Sequence, residues 1–197
     1  MKSLRHILLA AALLVSAAVT LPLSLQASAQ SISTTGQFVK RSGDTMTGTL
    51  RNTGQPSFLA YLSSTQSNVT GDGTNYTILF DTEVFDQASN YNPATGTFTA
   101  PVDGRYQFNV GVNLIATTAT GMTLSVVTSN RTYRPVAMKP SNVSSAGGDA
   151  AIPGAILADM DAGDTVTVVV QASGTTKTAS VFGNATLVTY FSGFLAN

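Results

Sequence analysis

Residues 96–108 read GTFTAPVDGRYQF and combine a strand, a tight turn and the start of a second strand. Pro101 ends the first ladder because it has no N–H to donate, and Asp103-Gly104 favours a turn. From Tyr106 onward apolar and polar residues alternate strictly. One face takes Tyr106, Phe108, Val110, Val112 and Leu114, and the other takes Gln107, Asn109, Gly111 and Asn113. The second strand is therefore predicted to be buried on one face and polar or wet on the other.

Short strands and turn signals continue through the rest of the chain, and no segment has a helical period with caps. The predicted strands are Phe58–Leu62, Tyr76–Phe85, Thr97–Ala100, Arg105–Ile115, Met122–Thr128, Tyr133–Met138, Ala151–Leu157, Thr165–Gln171, Ala179–Phe182 and Leu187–Leu195. This pattern predicts an all-β fold, an antiparallel jelly-roll sandwich of about ten strands.

The last strand is apolar on both faces and must be covered twice, once by its own core and once by a further surface. A second chain is the natural cover. We therefore expect a set of aromatic residues to hold both the core and a subunit interface. The set is Tyr106, Phe108, Tyr190, Phe191 and Phe194.

Residues 1–29 have the pattern of an export signal. A short basic start precedes an apolar run at 7–19, and Ala27-Ser28-Ala29 matches a cleavage site that would leave Gln30 first. The alternative is an uncleaved membrane anchor, since uncharged sequence continues to Leu25. We predict cleavage, and with it a secreted or surface protein, or a periplasmic one if the source is a Gram-negative bacterium.

The composition excludes several function classes. The chain has no Cys, and its single His, His6, lies in the export signal. Nucleophile–base pairs and zinc sites that need His or Cys are therefore excluded from the mature chain. The formal net charge is zero at pH 7, so a nucleic-acid partner is not expected.

Residues 30–55 differ in composition from the rest of the mature chain. Ser and Thr dominate at 31–35, and residues 42–50 read SGDTMTGTL. The latter resembles an element of trimeric phage tail fibres and bacterial surface fibres, which implies a neck joining three chains. The alternative is a flexible linker.

Several short motifs follow one another in residues 56–197, the predicted jelly-roll domain. Ile78-Leu79-Phe80-Asp81 and Tyr91-Asn92 precede the 96–108 stretch, while AGDTV at 162–166 and FSGFL at 191–195 follow it. Together they resemble the globular domain of the complement C1q-like family, whose members are related to tumour-necrosis-factor domains. The resemblance implies a homotrimer with its last strand near the three-fold axis.

Catalysis is not expected. A carboxylate pair could in principle support glycoside hydrolysis, and Glu83 has Asp81 and Asp86 as sequence neighbours. The position of Asp81 matches a structural Phe-Asp element of the resembled family, so we assign it a structural role and predict a non-enzyme.

No cofactor is expected, although three acidic residues offer a possible calcium site. Asp159, Asp161 and Asp164 supply three carboxylates within six residues, and hard oxygen ligands at close spacing can hold Ca²⁺. The alternative is a turn in which these side chains cap backbone N–H groups.

Recognition is expected in the loops, because loops on a rigid sandwich carry function. The candidates are Asp72, Asn90, Ser144 and Thr175. We expect an exported recognition or adhesion head that binds a protein or glycan ligand multivalently. The alternatives are a structural coat or fibre-tip protein without a ligand, and a carboxylate-based hydrolase.

Overall fold

The computed structural model describes residues 54–115, 119–139 and 148–196, which form thirteen strands and no helix. The strands are β1 (Ser57–Tyr61), β2 (Gln66–Thr70), β3 (Asn75–Thr77), β4 (Thr82–Gln87), β5 (Tyr91–Asn92), β6 (Thr97–Thr99), β7 (Gly104–Ile115), β8 (Gly121–Thr128), β9 (Thr132–Met138), β10 (Ala150–Met160), β11 (Thr165–Ser173), β12 (Ala179–Val181) and β13 (Tyr190–Leu195). The all-β expectation is confirmed. The predicted export signal and almost all of the predicted neck lie outside the described residues and stay predictions.

The strands form two sheets in which every pairing is antiparallel. Sheet 1 has the order β2-β12-β7-β13-β1-β4, and β10 pairs with the other edge of β7. Sheet 2 has the order β5-β6-β11-β8-β9, and β3 also pairs with β11. Sequence neighbours repeatedly fall in different sheets, which is the jelly-roll arrangement predicted from the sequence.

The 96–108 stretch connects the two sheets. Strand β6 belongs to sheet 2 and β7 to sheet 1, so the Asp103-Gly104 turn crosses the sandwich instead of closing a hairpin. The hydroxyl of Tyr106 donates to the carbonyl of Val102 at 2.8 Å, which ties the turn to the start of β7. Burial raises the pKa of Tyr106, and this hydrogen bond opposes the rise.

The alternating residues of β7 behave as the sequence predicts, because Tyr106, Phe108 and Val110 point inward and are buried. Aromatic rings link the two sheets across the core. The ring of Phe58 in sheet 1 stacks on Phe98 in sheet 2, with centroids 4.9 Å apart. Phe191 meets Phe58 edge-on at 5.0 Å.

The predicted strand Tyr76–Phe85 is wrong as a single element. Its first residues form β3 in sheet 2 and its last residues form β4 in sheet 1. The residues between cross from one sheet to the other, with Ile78 and Phe80 buried in the core. An apolar run that crosses a core has the same composition as a buried strand, so composition alone does not separate them.

Three further strands differ from the prediction. Strands β2 and β5 were not predicted, because Gln66–Thr70 is polar and Tyr91-Asn92 is only two residues long. Strand β10 continues to Met160 beyond the predicted end at Leu157.

The sandwich has two ends. At the near end, residues 54–56 lead into β1, and the amide of Gln55 donates to the carbonyl of Leu195 at 2.6 Å. At the far end β1 finishes, and the N–H of Leu62 donates to the carbonyl of Thr189 at 2.9 Å. A segment that precedes residue 54 therefore meets the domain at the near end.

Candidate functional site

Two far-end loops, residues 71–75 and 172–178, are hydrogen-bonded to each other. The carbonyl of Ala172 accepts the N–H groups of Gly71 (3.1 Å) and Gly73 (2.9 Å). The hydroxyl of the fully buried Thr70 accepts the N–H of Ala172 at 2.9 Å and donates to the carbonyl of Thr74 at 2.6 Å. These loops form a fixed platform, since their backbone bonds are made inside the domain.

Asp72 and Thr175, two predicted recognition residues, lie in these two loops and are exposed. A carboxylate oxygen of Asp72 accepts the N–H of Thr74 at 3.0 Å. Hydrogen bonds from Thr74 hold the pKa of Asp72 below its ordinary value, and the charge of Lys177 acts in the same direction. The platform thus presents an ionised carboxylate and hydroxyl groups at neutral pH.

The other two predicted recognition residues stand apart from this pair. Ser144 lies outside the described residues, although β9 ends and β10 begins at the far end. Asn90 is at the near end, where its carbonyl accepts the N–H of Thr99 at 2.9 Å. Therefore the structure does not bring Asn90 together with Asp72 and Thr175. The β4–β5 connection reverses the chain at the near end, which the sequence did not reveal.

The three acidic residues proposed for calcium do not share one turn. Asp159 belongs to β10, where it is paired in register with Arg105. No group of three or more His, Cys, Asp or Glu side chains in the described segments is placed to hold a metal ion. Calcium binding by Asp159, Asp161 and Asp164 stays a prediction that this placement does not favour.

The carboxylate of Asp164 instead lies at the centre of a hydrogen-bond network at the near end. It accepts the hydroxyl of Ser129 at 2.5 Å and the backbone N–H of Asp161 at 3.0 Å. The side-chain amide of Asn130 donates to the same carboxylate at 3.0 Å. The hydrogen bond from Ser129 above all, and then that from the Asp161 N–H, hold the pKa of Asp164 below its ordinary value.

The carboxylates considered for hydrolysis also make structural bonds. Asp81 accepts both the N–H of Ser63 at 2.9 Å and its hydroxyl at 3.0 Å. Asp86 accepts the N–H of Tyr91 at 2.9 Å. The structural role assigned to Asp81 from the sequence agrees with these contacts.

The five aromatic residues expected to serve core and interface divide into two groups. Tyr106, Phe108 and Phe191 are fully buried between the sheets. Tyr190 and Phe194 alternate with Phe191 along β13 and point away from sheet 2. Phe194 keeps 43% of its surface exposed. Therefore only this second group can contact another molecule.

We name the side of sheet 1 that points away from sheet 2 the outer face of sheet 1. Large apolar side chains occur on it across four strands: Leu157 (53% exposed), Phe194 and Phe85 (50% exposed), with the half-buried Leu59 and Tyr61 beside them. A bulge between Leu59 and Ala60 leaves Val84 without a register partner, and Val84 is exposed as well. Exposed apolar surface of this extent is typical of interaction sites.

A column of amide side chains crosses this apolar surface. Gln107, Asn109 and Asn113 occupy alternate positions of β7, and we name them the amide column. Gly111 fills the remaining position, and Tyr190 lies over it: a Cβ on Gly111 would be 2.6 Å from Cε1 of Tyr190. The sequence predicted the polar character of this strand face, but its place inside an apolar surface depends on the neighbouring strands.

The outer face of sheet 1 was only partly predictable from the sequence. The two-faced apolar pattern of the last strand identified Tyr190 and Phe194. Leu157, Leu59 and Phe85 were missed, although each alternates with buried neighbours on its own strand or lies beside a bulge. Those alternations were the available signal.

No helix in the described part of the chain is long and apolar enough to cross a membrane.

Comparison with known proteins identifies the family of the chain. The family model for the C1q domain matches residues 58–196. No curated protein matches the chain at a significant level.

Two solved structures share this fold. The globular domain of zebrafish complement 1qA matches with 16% identity and a TM-score of 0.50, covering 73% of this chain and 98% of that chain. Murine APRIL, in a crystal structure at pH 8.5, matches with 10% identity and a TM-score of 0.50, covering 72% of this chain and 98% of that chain. At these identities the likeness shows the fold alone. With the family model covering more than half of its length, the chain belongs to the C1q domain family.

Proposed function

We propose that this chain forms an exported, non-catalytic, trimeric recognition head that binds an extracellular protein or glycan ligand. Domains of this family are typically ligand-binding modules without enzymatic activity and typically form homotrimers. The observation that carries the proposal for this chain is the largely apolar outer face of sheet 1, which bears Leu157, Phe194 and Phe85. A monomer in water would leave this surface uncovered, and two further copies of the chain are the cover that we propose.

The positions of the two ends support a role in recognition. The chain reaches the domain at the near end through residues 54–56, whereas Asp72 and Thr175 lie at the far end. A neck attached at the near end would therefore leave the far-end platform free. Three platforms on one neck gain apparent affinity over a single copy by effective concentration alone, by roughly 10²–10⁴-fold.

The exported state can be tested on the secreted material itself. We expect Edman sequencing or mass spectrometry of the protein released from a bacterial host to place its first residue at Gln30. A chain that retains Met1 in the membrane fraction would contradict the secreted form and support an anchored one.

Binding can be tested with the exported chain on an array of bacterial and animal glycans and on a panel of extracellular matrix proteins. We expect binding that weakens on Asp72→Ala or Thr175→Ala. The control is Thr167→Ala, which removes a hydroxyl from β11 in sheet 2, outside the far-end platform. A robust trimer that binds nothing on either panel would contradict the recognition role and favour a coat or fibre-tip protein.

A further inference from the structure

We propose that strand β4 is a docking site for an extended segment of a partner protein in which apolar residues alternate with Lys or Arg. The segment would add one strand to sheet 1 along the side of β4 that points away from β1, which we name the β4 edge (Thr82–Gln87). This second site goes beyond the proposed function. The proposed trimer covers the outer face of sheet 1, whereas an added strand would lie beside β4 in the plane of the sheet.

The β4 edge is open to another chain. Strand β4 is the last strand of sheet 1, and in the described part of the chain it pairs only with β1. A strand in this position offers a row of backbone N–H and C=O groups to a further strand. Glu83, Val84 and Phe85 in its middle are all exposed. A peptide that adds a strand to such an edge gains affinity from main-chain hydrogen bonds and specificity from its alternate side chains.

Three other edge strands have features that oppose an added strand. Strand β9 contains Pro135 and strand β10 contains Pro153. Strand β10 also packs against β9, since a Cβ on Gly154 would lie 2.9 Å from Cγ of Pro135. In β2 the backbone of Asn68 is left-handed, with a φ of 55°. Strand β4 contains neither proline nor lysine, the residues that commonly prevent pairing at an edge.

The register with β1 divides the side chains of β4 into an acidic side and an apolar side. Glu83 and Asp86 are paired with buried residues of β1, so both carboxylates lie on the inner side of the strand, towards sheet 2. Phe85 is paired with the half-buried Leu59 and lies on the outer face of sheet 1. An added strand would therefore have carboxylates beside one of its sides and aromatic surface beside the other.

The charge at the β4 edge is negative, and it acts on Tyr91 of the neighbouring β5. The hydroxyl of Tyr91 donates to the carbonyl of Phe80 at 3.0 Å. Burial raises the pKa of Tyr91, and the charges of Glu83 and Asp81 raise it further, while this hydrogen bond opposes the rise. A Lys or Arg side chain on the inner side of an added strand would be attracted by the same charges.

A second copy of β4 is a poor occupant of this edge. In an antiparallel pair centred between Val84 and Phe85, Glu83 of each copy would lie opposite Asp86 of the other. Like charges directly opposite each other on neighbouring strands are destabilising. The two carboxylates therefore oppose pairing of the chain with itself and favour a basic partner.

A synthetic peptide tests the proposal. The probe has as many residues as β4, alternates Lys and Val, and is blocked at both termini. Fluorescence anisotropy of the labelled peptide with the exported chain should give saturable binding that weakens as salt is added. One control peptide alternates Glu and Val, and the other has Pro in place of a central Val and so lacks a ladder hydrogen bond. We expect neither control to bind.

A variant and a matched control assign the binding to the β4 edge. Glu83→Lys should weaken binding of the Lys-Val peptide by about five-fold, because it replaces an attraction with a repulsion. Asp149→Lys, the same charge reversal next to β10 at the opposite edge of sheet 1, should leave the affinity unchanged. In the wild-type chain, hydrogen–deuterium exchange should become slower in β4 on addition of the peptide and stay unchanged in β9.

Each outcome supports or overturns the proposal. Binding that Glu83→Lys does not weaken, or slower exchange confined to another strand, would overturn the β4 edge as the site. Equal binding of the Lys-Val and Glu-Val peptides would overturn the preference for a basic partner, and a Lys-Val peptide that does not bind would overturn the proposal as a whole. Peptide binding that persists in Asp72→Ala would separate this site from the far-end platform, so failure of either site leaves the other standing.

Discussion

The two sheets of the sandwich bury similar apolar residues between them but carry different side chains on their outer faces. Strand β11 alternates buried Val166, Val168 and Val170 with Thr165 and Thr167, which face outward. Strand β13 also buries every second residue, yet its outward positions include Tyr190 and Phe194. Threonine suits a strand that has one face in water. Large aromatic side chains on such a face favour burial against another surface. The outward residues of each strand, more than the buried ones, therefore indicate that sheet 1 is the sheet suited to the proposed subunit interface.

A charge placed on the outer face of each sheet should have very different effects on assembly. For Phe194→Asp we expect loss of the trimer, since a buried charge without a partner costs about 3–5 kcal/mol per subunit. The same substitution on the outer face of sheet 2, Thr167→Asp, should leave the trimer intact. Light scattering and circular dichroism of both proteins provide the measurement. If both variants stay trimeric and folded, the outer face of sheet 1 is not the subunit interface.

Within β13, neighbouring aromatic residues should separate folding from assembly. Phe191→Ala leaves a cavity in the core and should lower the free energy of unfolding by about 3–5 kcal/mol. Phe194→Ala should weaken assembly while the dissociated subunit stays as stable as the wild type. Urea denaturation at several protein concentrations distinguishes the two, because only an assembly effect depends on concentration. Equal effects of both substitutions at low concentration would refute the inward and outward assignment.

Two glycines give a smaller version of the same contrast. A Cβ on Gly193 would lie 2.6 Å from a ring carbon of the buried Phe108, and 2.9 Å from Phe58. Gly193→Ala should therefore lower stability by about 1–3 kcal/mol through overpacking. Gly111→Ala meets only the half-buried ring of Tyr190, which can swing outward, so its effect should fall on assembly. Thermal denaturation and light scattering of the two variants make the comparison, and a stable Gly193→Ala protein would contradict this packing.

The smallest expected effect concerns pH, and it should come from the two ends. The outward residues of β11 and β13 are uncharged, whereas Asp164 at the near end and Asp72 at the far end both have a pKa below the ordinary value of 3.8. A carboxyl group whose pKa is lower in the folded chain stabilises the fold above its unfolded pKa, and that contribution is lost as the pH falls through the folded value.

We therefore expect a modest loss of stability as the pH falls below about 4. The loss of stability should be smaller in Asp164→Asn, because the asparagine side chain does not titrate. Urea denaturation of the two proteins between about pH 2 and 7, a range that includes the titration of Asp, makes the comparison. Identical pH profiles for the wild type and Asp164→Asn would show that the hydrogen bonds of the Asp164 carboxylate contribute nothing to the loss of stability in acid.

The sequence predicted those features that depend on local alternation and turn chemistry. The inward set of β7 and the double-sided character of the last strand both follow from a period of two, which a single strand displays by itself. The boundaries of β10 and the division of Tyr76–Phe85 did not follow. In the second case the chain changes sheets inside an apolar run, where Ile78 and Phe80 stay buried throughout.

The candidate sites were less predictable because they combine residues from distant strands. The loops that carry Asp72 and Thr175 are joined by hydrogen bonds through Ala172, whereas Asn90 lies at the opposite end of the sandwich. The apolar outer face of sheet 1 needs the registers of β10, β7, β13, β1 and β4, which bring Leu157, Phe194 and Phe85 onto one surface. No single segment contains that information.

In the proposed trimer, copies of the same chain cover the outer face of sheet 1, and the solution mass of the exported protein tests this arrangement. Light scattering with and without EDTA should give three times the mass of one chain in both conditions. Loss of that mass in EDTA would make calcium part of the assembly. A stable monomer at all concentrations would contradict the account, because the aromatic outer face of sheet 1 would then be exposed to water.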